Sequence, residues 1–384
     1  MQVSQTVFSA GELPRLTPMP APAGSQLALI FGSTAMLGDP ANFAAVRAAY
    51  PSAIIAGCST AGEIHGASVS DDTIVVTVAS FAHTQVRLAK AEIAEASQSF
   101  AVGQALVDAL PGDKLRHVLI FSDGLKVNGT ELVRGLRDKL PPSVEVTGGL
   151  SADGPHFKRT LVCADGVPAE GQIAVVGLYG ESIKIGYGSQ GGWDSFGLER
   201  EITRSDGNVL YDLDGKPALQ LYKHYLGEHA DQLPVSALLF PLSLRYPERA
   251  GTGGAQSAVV RTILGIDEAA QSMTFAGDMP QGGHVRLMKA NFDGLIAGAS
   301  DAAQIGADAL QGHPVQLALL ISCVGRKLVL KQRVEEEVEG VRDVLGKDAV
   351  LSGFYSYGEI SPHGVGDACE LHNQTMTITT FCEV

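Results

Sequence analysis

The sequence is short of positive charge. Its 28 Lys and Arg face 42 Asp and Glu, a formal net charge of −14, whereas a surface that follows nucleic-acid phosphates or an anionic membrane concentrates the opposite sign. No nucleic-acid or membrane partner is expected. No uninterrupted apolar run approaches the roughly 20 residues of a membrane span, and the first residues lack the basic and apolar regions of a signal peptide. Five cysteines, Cys58, Cys163, Cys323, Cys369 and Cys382, are scattered without a C-x-x-C. That odd, unspaced set suits a reducing compartment better than a disulfide framework, so a cytoplasmic protein is expected. Charged residues make up 18% and apolar residues 45% of 384 positions, the composition of a globular chain long enough for two domains.

Catalytic signatures are thin as well. Gly186-Tyr187-Gly188-Ser189-Gln190-Gly191 has the letters of a dinucleotide fingerprint, but Gly192 to Gly197 follow where a helix would have to begin, leaving no helix N-terminus for a pyrophosphate. Ser59 and Ser151 follow apolar runs, yet neither sits in G-x-S-x-G. His224 and His229 are five apart, about 140° around a helix of ~3.6 residues per turn. Cys369 and His372 offer two metal ligands before a strand, with no second pair to complete a zinc site.

What the chain has in abundance is glycine, 45 residues, and one arrangement of it recurs. Gly353-Phe354-Tyr355-Ser356-Tyr357-Gly358-Glu359-Ile360 has counterparts in Gly57-Cys58-Ser59-Thr60-Ala61-Gly62-Glu63-Ile64 and Gly149-Leu150-Ser151-Ala152-Asp153-Gly154. Each follows an apolar run, and paired glycines five apart suit a backbone needing positive φ or close approach. Upstream lie apolar strands (Leu27 to Phe31, Val118 to Phe121, Leu317 to Ile321), each followed by a helical pattern; downstream lie Thr73 to Val78, Ile173 to Val176 and Thr375 to Thr379. The expected fold class is α/β: internally duplicated βα-loop-β units forming mixed sheets flanked by helices.

A second recurrence pairs Val86-Arg87-Leu88-Ala89-Lys90-Ala91 with Val285-Arg286-Leu287-Met288-Lys289-Ala290. Both lead into a small-residue helix ending in Asp-Ala-Leu, at Asp108 and Asp308. Residues 1–25, with Pro14, Pro18, Pro20 and Pro22, are expected to form a flexible lead-in. A region of hairpins separates units two and three, and the seam is placed near residue 216, dividing the chain into 26–215 and 216–384. Val334, Val338, Val341 and Leu345 form an apolar helical stripe, with the acidic run Glu335-Glu336-Glu337 and Glu339 mostly opposite it as a solvated face.

The loops carry the remaining chemistry. Tyr355, Ser356, Tyr357 and Glu359 set phenol, hydroxyl and carboxylate on one turn; Cys58, Ser59, Thr60 and Glu63 set smaller groups on its counterpart. Apolar walls with a few convergent polar groups describe a small-ligand pocket. The same residues are also ordinary turn residues packed at a domain interface. Cys58 reads either as an activated thiol or as the small buried packing residue that such a cysteine more commonly is.

At these loops, and through Gly191-Gly192-Trp193-Asp194-Ser195-Phe196-Gly197, Leu213-Asp214-Gly215-Lys216-Pro217, Ile321-Ser322-Cys323-Val324-Gly325-Arg326 and Leu371-His372-Asn373-Gln374-Thr375-Met376-Thr377, the sequence resembles the FIST sensory family of bacterial signalling proteins. The resemblance implies two domains, FIST N and FIST C, and a non-catalytic, small-ligand-sensing role in signal transduction. It adds Trp193 to the ligand-binding candidates Cys58, Ser59, Thr60, Glu63, Tyr355, Ser356, Tyr357 and Glu359. NosP-type members bind haem, sense nitric oxide and act on a partner histidine kinase in two-component signalling. The similarity to these stand-alone members makes a haem-binding nitric oxide sensor the leading expectation, and other members imply the alternative, a sensor of an amino acid or related metabolite.

No kinase, GGDEF or receiver segment is legible in this chain, so a separate histidine kinase or other signalling partner is expected; a homo-oligomer is left open. Haem requires an axial ligand and an apolar slot. His372 lies inside a matching motif and is the axial candidate; His156, His224, His284, Tyr355, Tyr357 and Cys323 are substitutes. A less favoured reading is an enzyme using Cys58 or the 355–359 loop as acid or base.

Overall fold

The computed structural model describes residues 1–12, 16, 19, 24–233, 235–246, 258–362, 366 and 368–384. Three units repeat one pattern. In each, two parallel strands lie side by side with an antiparallel strand against the first: Gln26–Gly32, Ile54–Ser59 and Thr73–Ser80; Leu115–Ser122, Glu145–Leu150 and Gln172–Tyr179; Leu317–Cys323, Val350–Ser356 and Met376–Glu383. The registers superpose, since Ile30 opposes Gly57, Ile120 opposes Gly148 and Leu320 opposes Gly353.

Alternation along the first strand of each unit explains its continuous apolar sequence. Leu27, Leu29 and Phe31 join a core shared with Leu119, Phe121, Leu317, Leu319 and Ile321 of the other units, whereas Ala28 and Ile30 face the opposite way. Both faces are covered, as in buried parallel strands generally. On the outer faces, helix Ser99–Asp108 packs against Gly129–Lys139, and Phe292–Asp308 against Val334–Leu345.

Each unit also hands its edge to another. Glu63–His65, from unit one, pairs with Val350–Ser356 of unit three. Gly358–Ser361, from unit three, pairs with Glu145–Leu150 of unit two. Val162–Ala164, from unit two, pairs with Ile54–Ser59 of unit one, closing a three-membered exchange. Residues on either side of position 216 therefore share sheets, and Ile183–Gln190 likewise pairs with Met376–Glu383.

Two expectations are corrected. Gln2–Ser9, placed in a flexible lead-in, is an edge strand along the full length of Thr73–Ser80; only Phe8 in it is buried, so no apolar pattern announced it. Pro14, Pro18, Pro20 and Pro22 lie outside the described residues. The strand of unit three that corresponds to Gln85–Glu92 is Ile183–Gln190, which occupies the same place against the antiparallel strand. His284–Lys289, which carries the recurring sequence, instead pairs with Asp194–Asp206 and Leu242–Arg245 in an inserted eight-stranded sheet. The insertion falls between the two parts of the repeat, and only its helix stayed in place. Among the described residues no helix is long and apolar enough to cross a membrane.

Candidate functional site

The first glycine of each loop is required by the parallel pairing. A Cβ on Gly57, Gly148 or Gly353 would lie 1.9, 2.0 or 1.8 Å from the carbonyl oxygen of Ile30, Ile120 or Leu320. The counterpart in unit two is thus Gly148, one residue before the glycine that opens its loop in sequence. The loops then meet at the carboxyl ends of the strands. Ala152 N–H donates to Ser59 O at 2.8 Å, Ala61 N–H to Tyr355 O at 2.8 Å and Tyr357 N–H to Leu150 O at 3.3 Å, a ring in which each unit holds the next.

The centre of that assembly is filled. Phe31, Phe121 and Phe354 pack with ring centroids 4.8 to 6.3 Å apart. Cys58 joins the same core, and Ser59, Tyr355, Ser356 and Glu359 are, like it, completely buried. Ser59 Oγ donates to Ala152 O at 2.7 Å and accepts from Leu161 N–H at 2.9 Å. Burial pushes the Cys58 thiol well above its ordinary range, so it is held as a neutral thiol, the inert form.

The two glutamates are structural latches. Glu63 accepts from Thr60 Oγ1, from Thr73 N–H at 3.2 Å and from Thr73 Oγ1 at 2.7 Å. Glu359 accepts from Ser356 Oγ at 2.6 Å, Thr375 N–H at 3.2 Å and Thr375 Oγ1 at 3.0 Å. Burial raises Glu63 and pushes Glu359 up to about 8 against those hydrogen bonds. In unit two Asp123 takes over part of this role, accepting from Gly171 N–H at 2.9 Å and Thr160 Oγ1 at 3.2 Å. Glu337 departs from the expected solvated face. It is fully buried, paired with Arg326 Nη2 at 2.7 Å and bonded by Tyr355 Oη at 2.6 Å. Burial first, then Glu337, raises the Tyr355 phenol far above its usual value.

An open cavity of about 600 Å³ lies beside the ring, with walls from all three units. Unit one supplies Ser33, Thr60, Glu63, Asp71 and Asp72; unit two, Asp153, His156 and Lys158; unit three, Val324, Lys327 and Leu328. Lys327 Nζ donates to Ala61 O at 2.9 Å and to Asp71, and lies 5.6 Å from the Tyr355 ring centre. Gly62 makes room for it, because a Cβ there would stand 2.3 Å from that nitrogen. The wall from unit two is fixed by Asp153, which accepts from Lys158 N–H and Arg159 N–H at 2.8 Å each and from Tyr357 Oη. Phe157 stacks on Tyr357 with centroids 4.2 Å apart.

Thr60 and Glu63 therefore line this cavity, and Tyr357 positions its wall. Cys58, Ser59, Tyr355, Ser356, Glu359, Trp193 and His372 are not among its lining residues. Trp193 Nε1 donates to Gln374 O at 2.8 Å within a cluster with Met288, Leu295, Val329 and Leu330. His372 is fully buried, with Nε2 donating to Ser361 O at 2.7 Å. Sequence reasoning missed Lys327, Asp71, Asp72 and Lys158. The tendency of α/β ligands to bind outside the carboxyl ends of parallel strands would have pointed to the helix after Cys323, where Lys327 lies.

The lining does not fit a haem. His156 offers one axial nitrogen, but Glu63, Asp71, Asp72 and Asp153 share the lining with it, and among the described residues no phenyl, phenol or indole ring lies there, whereas a macrocycle needs an apolar slot.

Residues 26–216 match the FIST N domain, and residues 218–362 match the FIST C domain. The chain belongs to the FIST family. FIST domains are sensory domains that bind small ligands in signal transduction. This FIST protein is also 24% identical over 235 residues to an uncharacterized protein of Methanocaldococcus jannaschii, a match covering 59% of this chain and 43% of the relative. It therefore spans less than half the length of that relative. Among solved structures, cyanuric acid hydrolase from A. caulinodans aligns over 78% of this chain and 99% of its own at 11% identity, with a TM-score of 0.19, too slight a likeness to transfer a fold.

Proposed function

We propose that this FIST protein is a non-catalytic sensor of an amino acid or a closely related zwitterionic metabolite, bound in the cavity beside the loop ring. The observation that supports this reading is the pairing of signs on its walls. Lys158, and Lys327 on opening its pair with Asp71, suit a ligand carboxylate, and Asp71 and Asp72 then suit an ammonium group. A ligand there touches all three units, so its occupancy biases their relative packing by the difference in its affinity for two arrangements. The output passes to a separate signalling protein, with a histidine kinase as the first partner to examine.

Thermal unfolding in the presence of each standard amino acid, at matched ionic strength, tests this reading. A ligand binding only the native state raises the melting temperature progressively with concentration. The competing reading, haem with nitric oxide, would appear as a stoichiometric Soret band after haem-supplemented expression, moving when the gas is added to the ferrous form. A protein that carries such a band and ignores every amino acid replaces the zwitterion reading.

A further inference from the structure

The three walls of the cavity beside the loop ring differ in kind. Helix Val324–Leu330, which follows the first strand of unit three, supplies Val324, Lys327 and Leu328 to it. These are the i, i+3 and i+4 positions, which share one helix face. Val324 is buried in the same core as Ala61, whereas Leu328 is 36% exposed. Lys327 directs its ammonium to unit one, donating to Ala61 O at 2.9 Å and to Asp71. The helix therefore offers the cavity two aliphatic side chains one turn apart. Ala35, Ala61 and Pro155 add apolar surface on the walls from the other two units.

The charges that remain available on the lining balance. Glu63 has both oxygens engaged by Thr60 and Thr73. Asp153 has both of its own engaged by Tyr357 and by the N–H groups of Lys158 and Arg159. That leaves Asp71 and Asp72 against Lys327 and Lys158. Asp71 is paired with Lys327, and neither Asp72 nor the Lys158 ammonium has an ion pair among the described residues. One α-ammonium and one α-carboxylate match this set. A third charge on the ligand would face none of the four unpaired and would give up hydration without compensation.

We propose that the ligand is an amino acid with an uncharged, apolar side chain, of the size of leucine or phenylalanine, laid along Val324 and Leu328. This assignment rests on the zwitterion reading of the cavity and narrows it to one class of side chain. A buried methylene is worth roughly fourfold in affinity, so the three further carbons of leucine give it at least a tenfold advantage over alanine.

The test is the melting temperature of the full chain against rising leucine, phenylalanine, alanine, lysine and glutamate at matched ionic strength, read as the concentration that gives an equal rise. Leucine and phenylalanine are expected to act at concentrations at least tenfold below the other three. Leu328→Ser, at an exposed position, is expected to melt near the parent without ligand and to reduce the ratio between alanine and leucine to threefold or less. Lys158→Gln is expected to weaken every amino acid alike and to leave that ratio unchanged. Lysine or glutamate acting at or below the leucine concentration, or an undiminished ratio in Leu328→Ser, overturns the apolar assignment and leaves the zwitterion reading standing. No rise with any of the five overturns both.

Discussion

Glu63 and Glu359 hold their loops by the same three contacts. Each accepts from the N–H and hydroxyl of a threonine, Thr73 or Thr375, that begins the next long antiparallel strand of its unit or lies just before it, and from a hydroxyl three residues upstream. The carboxyl thus ties the turn after the second parallel strand to the strand that follows. Both carboxyls are raised by burial.

That burial has a pH consequence. With Glu359 pushed up to about 8 when folded and a free Glu at about 4.3, the folded chain keeps a proton that the unfolded chain has lost between those values. Stability contributed by this group is full below pH 4 and declines as pH rises towards 8, with a limiting slope of about 1.4 kcal/mol per pH unit. Glu359→Gln, which mimics the neutral form, is expected to flatten the decline in urea midpoints measured from pH 5 to 8. Parallel pH profiles for parent and variant would contradict this.

The parallel pairing makes a sterically sharper claim. In Gly353→Ala the new Cβ would lie 1.8 Å from Leu320 O, a backbone atom held in the neighbouring strand. A loss of roughly 3 kcal/mol or more is expected. Gly112→Ala, where a Cβ meets nothing within 4 Å, should change stability by no more than about 0.5 kcal/mol. Chemical denaturation of the two variants checks the contrast.

Tyr357 fixes the cavity wall through its hydroxyl, which donates to Asp153 and lies 2.8 Å from Gly154 O. Tyr357→Phe keeps the stacking on Phe157 but leaves the buried Asp153 short of a donor. The expected cost is about 1–3 kcal/mol, with faster amide exchange across residues 153–159. Unchanged exchange in that segment would show that the hydroxyl does not hold it.

The Arg326–Glu337 pair is sealed at both ends. Glu337→Gln leaves the guanidinium without its carboxylate and is expected to destabilise by about 3–5 kcal/mol, read from unfolding midpoints. A change under about 1 kcal/mol would mean that Gly191 O and Leu295 O, which also accept from Arg326, suffice alone.

Much of this architecture was legible in the residues. The apolar runs at Leu27, Val118 and Leu317 marked the first strands, and the glycines at 57 and 353 marked the close approach of the second. What escaped was long-range. No local pattern shows that Glu63–His65 pairs with Val350–Ser356, or that an inserted sheet separates Ile183–Gln190 from its helix. Glu337 was readable in principle, since it stands three residues after Val334 and four before Val341 on the buried side, and its charge obscured that spacing. Lys327 carried no motif. Its position depends on where the strand ending at Cys323 meets a loop from unit one.

The most direct measurement is a calorimetric titration of the purified protein with the amino acid that raises its melting temperature most, alongside Lys327→Met and Asp71→Asn. A saturable single-site isotherm in the parent, weakened at least tenfold (about 1.4 kcal/mol) in both variants, is the expected result. Equal affinity in parent and variants, or no heat from any amino acid, would contradict ligand sensing by this cavity.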